Sequence, residues 1–410
     1  MLKLNLIYTV AFAGLVLFLG YGLRRAFPFL EKLNIPAPVV GGLVVSLATL
    51  VARQFGATLF EFDITLRDPL MIAFFTTIGF AASLSFLKKG GPQVLIFFLA
   101  ATGFAVLQNV WGMLIALGVG VKPLLGVMAG SVCLTGGPAT GLAFSPLFEK
   151  AGINGAATIA VAAAMFGIVS GGLVGGPIGT FLIQRHKLRK PRLKGQPVEM
   201  TTADNIVEER MGEPTVSAPL DEDKETYLLL KTLVIVLTAM WAGSWLSALF
   251  TRLGITLPAY VGAMFAAAIF RNVDDVTGWL KLSQRKIDDI GHIALSLFLV
   301  IALMTLRLWE LAGLILPLVV ILFGQLVLVA VFSGLIVFRL MGRDYQSAVM
   351  SVGFFGFMMG TIANAMASMK TIVERYGPSK HAFLVASMVG AFFIDFTNAL
   401  IITVFLNVFG

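Results

Sequence analysis

The sequence predicts an all-α polytopic membrane protein with ten transmembrane helices and two re-entrant hairpins, arranged as two inverted-topology repeats. Of its 410 residues, 58% are hydrophobic and 13% are charged, whereas about a quarter of the residues in soluble domains are charged. Long apolar stretches recur along the whole chain. Two further apolar stretches are rich in Gly and hydroxyl residues, and the two halves of the chain resemble each other.

Ten apolar stretches read as ordinary spans, at about 5–22, 37–53, 69–87, 94–119, 155–183, 227–250, 256–271, 289–308, 311–339 and 381–408. The first stretch is long enough to span a bilayer, and the charges that follow it come without a small-residue cleavage site. We therefore expect a retained helix there rather than a signal peptide.

The stretches at about 124–150 and 346–372 do not read as ordinary spans. The first contains TGGPATG at 135–141, and both Pro and Gly are unfavourable inside a helix. Irregular backbone at membrane depth is tolerated only where protein buries it or where it lines a water-filled cavity. We therefore predict two re-entrant hairpins, each entering and leaving on the same side.

The distribution of basic residues supports this topology. With both termini outside, most of the 30 Lys and Arg residues fall on the cytoplasmic side, as expected of a membrane protein. Two hairpins that crossed fully would move the basic run at 185–194 outside. The polar stretch 185–225 is predicted to be a cytoplasmic linker.

Three pairs of stretches match between the halves at a nearly constant offset of about 220 residues. They are 35–48 with 256–269, 130–141 with 350–361, and 164–178 with 387–401. Residues 1–184 and 226–410 would then each contain five spans and one hairpin. Because five is odd, the second repeat enters the membrane inverted, which is an architecture common among secondary transporters.

The two hairpin tips are the predicted substrate site. Tips that meet near the midplane would supply free backbone groups and helix ends for an anionic group. Small residues could instead serve close helix packing. The candidate substrate ligands are Thr135, Gly136, Gly137, Thr140, Gly141, Gly356, Gly360, Thr361 and Asn364.

Asp395 lies midway through the last predicted span, where an ionisable group indicates function by default. Asn398 shares its helical face and Thr397 is adjacent, so hard oxygen donors suited to Na⁺ gather there. Gln108 and Asn109, two amides in the fourth span, are further candidate ion ligands. Protonation of Asp395 would suit H⁺ coupling instead, and a purely structural hydrogen-bonded pair is the other alternative.

Several functional classes are disfavoured. No nucleotide-binding motif is present, and no catalytic set can be placed at one depth, so the chain is predicted not to be an enzyme. One cysteine and three histidines disfavour a zinc or haem site, leaving Na⁺ as coupling ion and no other cofactor. The net charge of +8 fits cytoplasmic loops in a lipid bilayer better than nucleic-acid binding. A passive channel or a proton-coupled transporter of another small organic anion remain as alternatives.

Collinear stretches from about residue 35 to the end resemble the glutamate:sodium symporters of bacteria. They include DITLRDPLMIAFFTTIGF (63–80), GHIALSLFLVIALMTLRLWELA (291–312) and ERYGPSKHAFLVASMVGAFFIDFTNALI (374–401). The resemblance implies Na⁺-coupled uptake of glutamate or a related amino acid or dicarboxylate across the bacterial inner membrane. It also implies a homodimer in which a transport part moves against a scaffold part in an elevator-like cycle.

The chain departs from the family pattern at both tips. Pro138 and Ala139 replace a His-Gly pair, and Phe354 and Phe355 replace His and Cys. The segment 362–364 reads Ile-Ala-Asn where the family has Thr-Pro-Thr. Polar groups are thus missing at positions expected to touch substrate, which predicts a less polar or differently shaped substrate as an alternative to glutamate.

Overall fold

A computed structural model of the chain describes residues 2–85, 91–188, 222–252, 257–311 and 313–410. The described residues are mainly helical, with two three-residue strands, Leu2–Leu4 and Phe60–Phe62, that pair in parallel. Most of the predicted linker 185–225 lies outside the described residues. Its last residues belong to a helix that begins at Glu222.

Eight helices lie wholly within the described residues of the first half of the chain. They are α1 (Leu6–Ala26), α2 (Pro28–Lys32), α3 (Ala37–Gln54), α4 (Arg67–Ala81), α5 (Gly91–Gly118), α6 (Pro123–Val132), α7 (Gly137–Lys150) and α8 (Ala156–Arg185).

The second half contributes eight more within the described residues. They are α9 (Glu222–Arg252), α10 (Ala259–Thr277), α11 (Gln284–Met304), α12 (Ile315–Leu340), α13 (Tyr345–Met358), α14 (Ile362–Tyr376), α15 (Lys380–Met388) and α16 (Ile394–Phe409). A 3₁₀ turn, Leu308–Leu311, precedes α12, and a π-helical turn, Val389–Phe393, joins α15 to α16.

Local sequence explains where several helices begin. Asn5 caps α1, its side-chain oxygen accepting the Tyr8 N–H at 3.0 Å, and Asp344 caps α13 through the Ser347 N–H at 2.7 Å. Such caps satisfy backbone donors that have no partner inside the helix. Pro123 occupies the first turn of α6, where its missing N–H costs nothing.

Seven helices in the described part of the chain are long and apolar enough to cross a membrane, namely α1, α3, α5, α8, α9, α11 and α12. The all-helical membrane architecture is thereby confirmed, whereas the number of ten spans stays a prediction. The last predicted span, 381–408, is divided by the Val389–Phe393 turn.

In the third predicted span, 69–87, α4 ends at Ala81, earlier than expected, and residues 86 and 87 lie outside the described residues. The Asn272 side chain of α10 donates to the Ala82 carbonyl at 2.9 Å and accepts the Leu84 N–H at 2.9 Å. These bonds replace those that a continuing helix would make. A contact between distant segments therefore sets this helix end, and hydropathy could not reveal it.

Both predicted hairpins are broken helices. The segment 124–150 consists of α6 and α7 with a break at 133–136, and Gly130 inside α6 has non-helical dihedral angles (φ −100°, ψ −127°). The segment 346–372 consists of α13 and α14 with a break at 359–361. Their re-entry on one side of the membrane stays a prediction.

The helices form two groups. The flanking group comprises α1–α4 and α9–α11, and the hairpin group comprises α5–α8 and α12–α16; contacts within each group are extensive. The two groups meet mainly where α11 contacts α7, where α4 and α10 contact α16, and where α3 contacts the Leu308–Leu311 turn. Aromatic pairs mark this boundary, with ring centroids 5.1 Å apart for Phe144 and Tyr260 and 5.3 Å apart for Phe265 and Phe396.

Candidate functional site

The two broken segments meet at their tips. A Cβ atom placed on Gly137 would lie 3.3 Å from the Gly360 carbonyl oxygen and 3.9 Å from the Thr361 methyl group. Gly137 has φ +67°, a left-handed conformation that glycine adopts without strain. Since α7 begins at Gly137 and α14 begins at Ile362, two helix N-termini converge at this contact.

The two N-termini supply unpaired backbone donors and the positive ends of two helix dipoles. The start of α7 has no side-chain cap from Gly136, and Pro138 follows Gly137 in its first turn. The start of α14 is capped by Thr361, whose hydroxyl accepts the Asn364 N–H at 3.4 Å. A carboxylate is the ligand class that such an arrangement accommodates.

Gln108 of α5 connects the two tips. Its amide nitrogen donates to the Met358 carbonyl at 3.1 Å, and its side-chain oxygen accepts the Thr135 hydroxyl at 2.8 Å. The residue is fully buried. Because its side-chain nitrogen bonds to one broken segment and its side-chain oxygen to the other, Gln108 links the two tips through hydrogen bonds.

The side chains of Asn109 and Gln325 lie beside the kink in α6. The Asn109 side-chain oxygen accepts the Ser131 N–H at 3.0 Å, and the Gln325 amide donates to the Gln108 carbonyl at 2.7 Å. A Cβ on Gly130 would lie 3.0 Å from the Asn109 oxygen and 3.3 Å from the Gln325 nitrogen. Side chains from α5 and α12 therefore approach the irregular backbone closely.

The predicted ion ligands of α16 face different neighbours. The Asn398 amide donates to the Ser131 carbonyl at 2.9 Å, while the Thr397 hydroxyl lies 3.4 Å from that of Thr102 on α5. Asp395 is half-buried and forms no hydrogen bond or ion pair with any described residue. On the helix, Asp395 lies between Asn398, which contacts α6, and Phe396, which contacts α10.

The second segment is fastened to α8. The Asn364 amide donates to the Ile168 carbonyl at 2.8 Å, and the Ser368 hydroxyl donates to the Gly171 carbonyl at 3.4 Å. A Cβ on Gly167 would lie only 2.2 Å from the Met359 carbonyl oxygen. Glycine is thus required where α8 passes the tip.

The remaining candidate residues are close-packed. Thr140 is buried, and a Cβ on Gly141 would lie 2.9 Å from Ala160 of α8. A Cβ on Gly356 would lie 2.4 Å from the Ala365 backbone of α14. Gly141 and Gly356 therefore allow the helices of each broken segment to approach their neighbours.

Two of the family departures do not line the tip. Phe354 and Phe355 are fully buried, and Phe354 packs against Phe97, Phe104 and Phe332 with centroid distances of 5.7, 5.5 and 5.6 Å. By contrast, Ile362 is half-buried and Ala363 is exposed beside Thr361. Of the departures from the family pattern, only those at the start of α14 and at the Pro138–Ala139 pair can therefore remove polar groups beside the substrate.

Sequence reasoning missed two buried polar residues of this region, Ser131 and Gln325. Gln325 is a single amide in the apolar stretch 315–331, and the rule that singled out Asp395 could have drawn attention to it. Ser131 carried no signal, because a serine in a Gly-rich stretch is equally suited to close helix packing.

The sodium/glutamate symporter family model matches residues 2–378. The chain is 39% identical to the sodium/glutamate symporter of Escherichia coli (strain K12), over 99% of this chain and 98% of that protein. It is 38% identical to the sodium/glutamate symporter of Haemophilus influenzae, over 97% and 96% of the two chains.

A solved structure of a sodium proton antiporter from Methanocaldococcus jannaschii aligns over 98% of each chain with 15% identity and a TM-score of 0.43. That similarity is too low to support a conclusion. The family match and the identities to curated symporters agree with the resemblance found in the sequence, and they confirm a membrane transporter rather than an enzyme. The chain therefore belongs to the sodium/glutamate symporter family.

Proposed function

We propose that this chain is a secondary active transporter that carries glutamate, or a related amino acid or dicarboxylate, into the cell together with Na⁺. Membership of the family supports the reaction. The observation that carries the site is the contact between Gly137 and Gly360, which brings the N-termini of α7 and α14 together.

The substrate carboxylates would bind at these two N-termini. No Lys or Arg side chain in the described part of the hairpin group is buried, so backbone N–H groups would supply the positive potential. Residues of both tips would contact the substrate: Thr135, Gly136, Gly137, Thr140, Gly141, Gly356, Gly360, Thr361 and Asn364. Thr361 and Ala363 lie on the accessible side of the contact, which suggests entry there.

Na⁺ would bind beside Asp395 and Asn398. Asp395 brings a carboxylate that no described residue pairs, and the Asn398 side-chain oxygen has no hydrogen-bond partner among the described residues. Carboxylate and amide oxygens are hard ligands. Binding Na⁺ would neutralise Asp395 before the site crosses the low-dielectric membrane interior.

The hairpin group would move as the transport part of an elevator, against a scaffold formed by the flanking group. The narrow set of contacts between the groups supports this division. In this proposal the hairpins enter from opposite faces and belong to inverted repeats 1–184 and 226–410, which the cytoplasmic segment 185–225 connects. Exposed apolar side chains of the flanking group, such as Phe18 and Trp245, would face lipid or the second subunit of a homodimer.

Uptake into proteoliposomes tests the proposal. Purified protein would be reconstituted with an imposed inward Na⁺ gradient, and labelled glutamate is expected to accumulate above its external concentration. A pH gradient without Na⁺ should not support accumulation, and empty liposomes provide the control. Accumulation with the pH gradient alone would instead indicate proton coupling, whereas equilibration without accumulation would indicate a passive channel.

A further inference from the structure

Four buried polar side chains from four helices gather at the kink in α6. Asn109 comes from α5, Ser131 from α6, Gln325 from α12 and Asn398 from α16, and each is fully buried. Hydrogen bonds of 2.9–3.0 Å join Asn109 and Asn398 to the Ser131 backbone. The Gln325 side-chain nitrogen lies 3.3 Å from the position that a Cβ atom on the neighbouring residue, Gly130, would occupy.

The orientation of these side chains follows from their partners. Gln325 and Asn398 each contact a backbone carbonyl oxygen, of Gln108 and Ser131 respectively, and a carbonyl can only accept a hydrogen bond. Their NH₂ groups must therefore face those carbonyls. The Gln325 and Asn398 side-chain oxygens point elsewhere, and neither has a partner among the described residues.

The Ser131 hydroxyl is likewise buried without a partner in the described part of the chain. Around the kink in α6, three neutral oxygens therefore lack partners among the described residues, as does the NH₂ group of Asn109, which is a donor and cannot ligate a cation. Buried polar groups are normally satisfied, and a cluster of exceptions indicates an ion or an internal water. Oxygen ligands suit a hard cation, and the absence of a carboxylate from this trio favours a monovalent ion over Ca²⁺.

We propose that Ser131, Gln325 and Asn398 form a Na⁺ site at the kink in α6, one helical turn along α16 from Asp395. The inference rests on the proposed Na⁺ coupling and adds Ser131 and Gln325 to its machinery. An ion bound there joins α6 to α12 and α16, so its occupancy holds the first broken segment in position beside the tip contact.

The second half of the chain offers a matched control. Ser351 corresponds to Ser131 in the repeat alignment and is also fully buried. Its hydroxyl, however, donates to the Ser347 carbonyl at 2.9 Å within α13. Ser131→Ala removes an oxygen that has no partner among the described residues, whereas Ser351→Ala removes one that is already paired.

The experiment is a Na⁺ titration of thermal unfolding on the purified full-length protein, with choline chloride holding ionic strength constant and no substrate present. Na⁺ is expected to stabilise the wild-type protein. In Ser131→Ala the half-saturating Na⁺ concentration should rise about tenfold, which corresponds to about 1.4 kcal/mol of binding free energy. Ser351→Ala should keep the wild-type half-saturation, and Ser131→Ala without Na⁺ should unfold at the wild-type temperature.

A second variant, Gln325→Leu, should shift the half-saturating concentration in the same direction. Wild-type Na⁺ dependence in Ser131→Ala, or no stabilisation of the wild-type protein by Na⁺, would overturn the site and indicate an internal water instead. Because the titration needs no substrate, the two proposals fail separately. If Ser131→Ala loses the stabilisation by Na⁺ but the wild-type protein takes up no glutamate, only the proposed substrate is rejected. If the wild-type protein shows Na⁺-driven uptake but Ser131→Ala keeps the wild-type Na⁺ dependence, only this site is rejected.

Discussion

The two broken segments occupy corresponding places in the two halves of the chain, yet their breaks are built differently. In the first, α6 is kinked at Gly130, the Ser131 hydroxyl has no partner among the described residues, and α7 begins without a side-chain cap. In the second, α13 is unkinked, the Ser351 hydroxyl is paired, and Thr361 caps α14. The serine hydroxyl and the helix start at the second break thus find hydrogen-bond partners within their own segment, whereas those at the first break do not.

Accessibility differs in the same sense. Pro138 and Thr140 at the first tip are buried, whereas Thr361 is half-buried and Ala363 is exposed at the second. We infer a division of roles in which the first segment holds the ion, through Ser131 and ligands from α12 and α16, and the second offers the accessible side from which the substrate reaches the two tips. Sequence similarity between the two halves of the chain therefore does not imply that the two segments have the same role.

The largest effect is expected from Asp395→Asn. If the ion binds beside the first segment, removing the one charge of that region should reduce Na⁺-driven accumulation of glutamate by about 100-fold or more, since no other described side chain there can neutralise Na⁺. Proteoliposome uptake measures this. Thr403→Val, on the same helix, removes only a hydroxyl bonded to the Ala399 carbonyl and should retain uptake. Wild-type accumulation by the Asn variant would exclude Asp395 from the ion site.

An intermediate effect is expected where α8 holds the second segment. In Gly167→Ala the new methyl group would lie 2.2 Å from the Met359 carbonyl oxygen and 2.8 Å from Leu134, so the backbone must shift. A loss of about 1–3 kcal/mol is expected from such overpacking, visible as a lower thermal unfolding temperature.

Gly172→Ala is the matched control for Gly167→Ala. It is half-buried on the same helix, with no heavy atom within 4 Å of the added Cβ. An alanine there should be neutral or stabilising by up to about 1 kcal/mol. Equal unfolding temperatures for the two variants would contradict the close contact between α8 and the second tip.

The smallest effect is expected from Thr361→Ala, which removes the cap of α14. Caps contribute about 1 kcal/mol, so the variant should raise the KM for glutamate several-fold through a less ordered tip while the Na⁺ dependence stays unchanged. Thr361→Ser keeps the hydroxyl and should behave like the wild type. If Thr361→Ala shifted the Na⁺ dependence as much as is predicted for Ser131→Ala, the proposed division of roles between the two segments would be contradicted.

Much of the architecture was predictable, because the hydrophobic effect acts on local composition. Apolar stretches mark the helices, and the Gly-Pro break at 135–141 marks the first irregular segment, since Pro and Gly disrupt helices wherever they occur. Asp395 stood out because an ionisable group at membrane depth is costly. Each of these signals resides in one stretch of chain.

The partners of these residues were not predictable. Gln108 bonds to both tips, Asn272 contacts the chain just after the early end of α4, and Phe354 is buried among aromatic rings. The Ser131 and Gln325 oxygens have no partner among the described residues. All of these features depend on helices distant in sequence. Sequence alone thus determined that the chain spans the membrane as helices and where two of them break. Only the tertiary structure decided which polar groups meet at those breaks, because hydrogen bonds and close packing depend on distances between elements rather than on the order of residues.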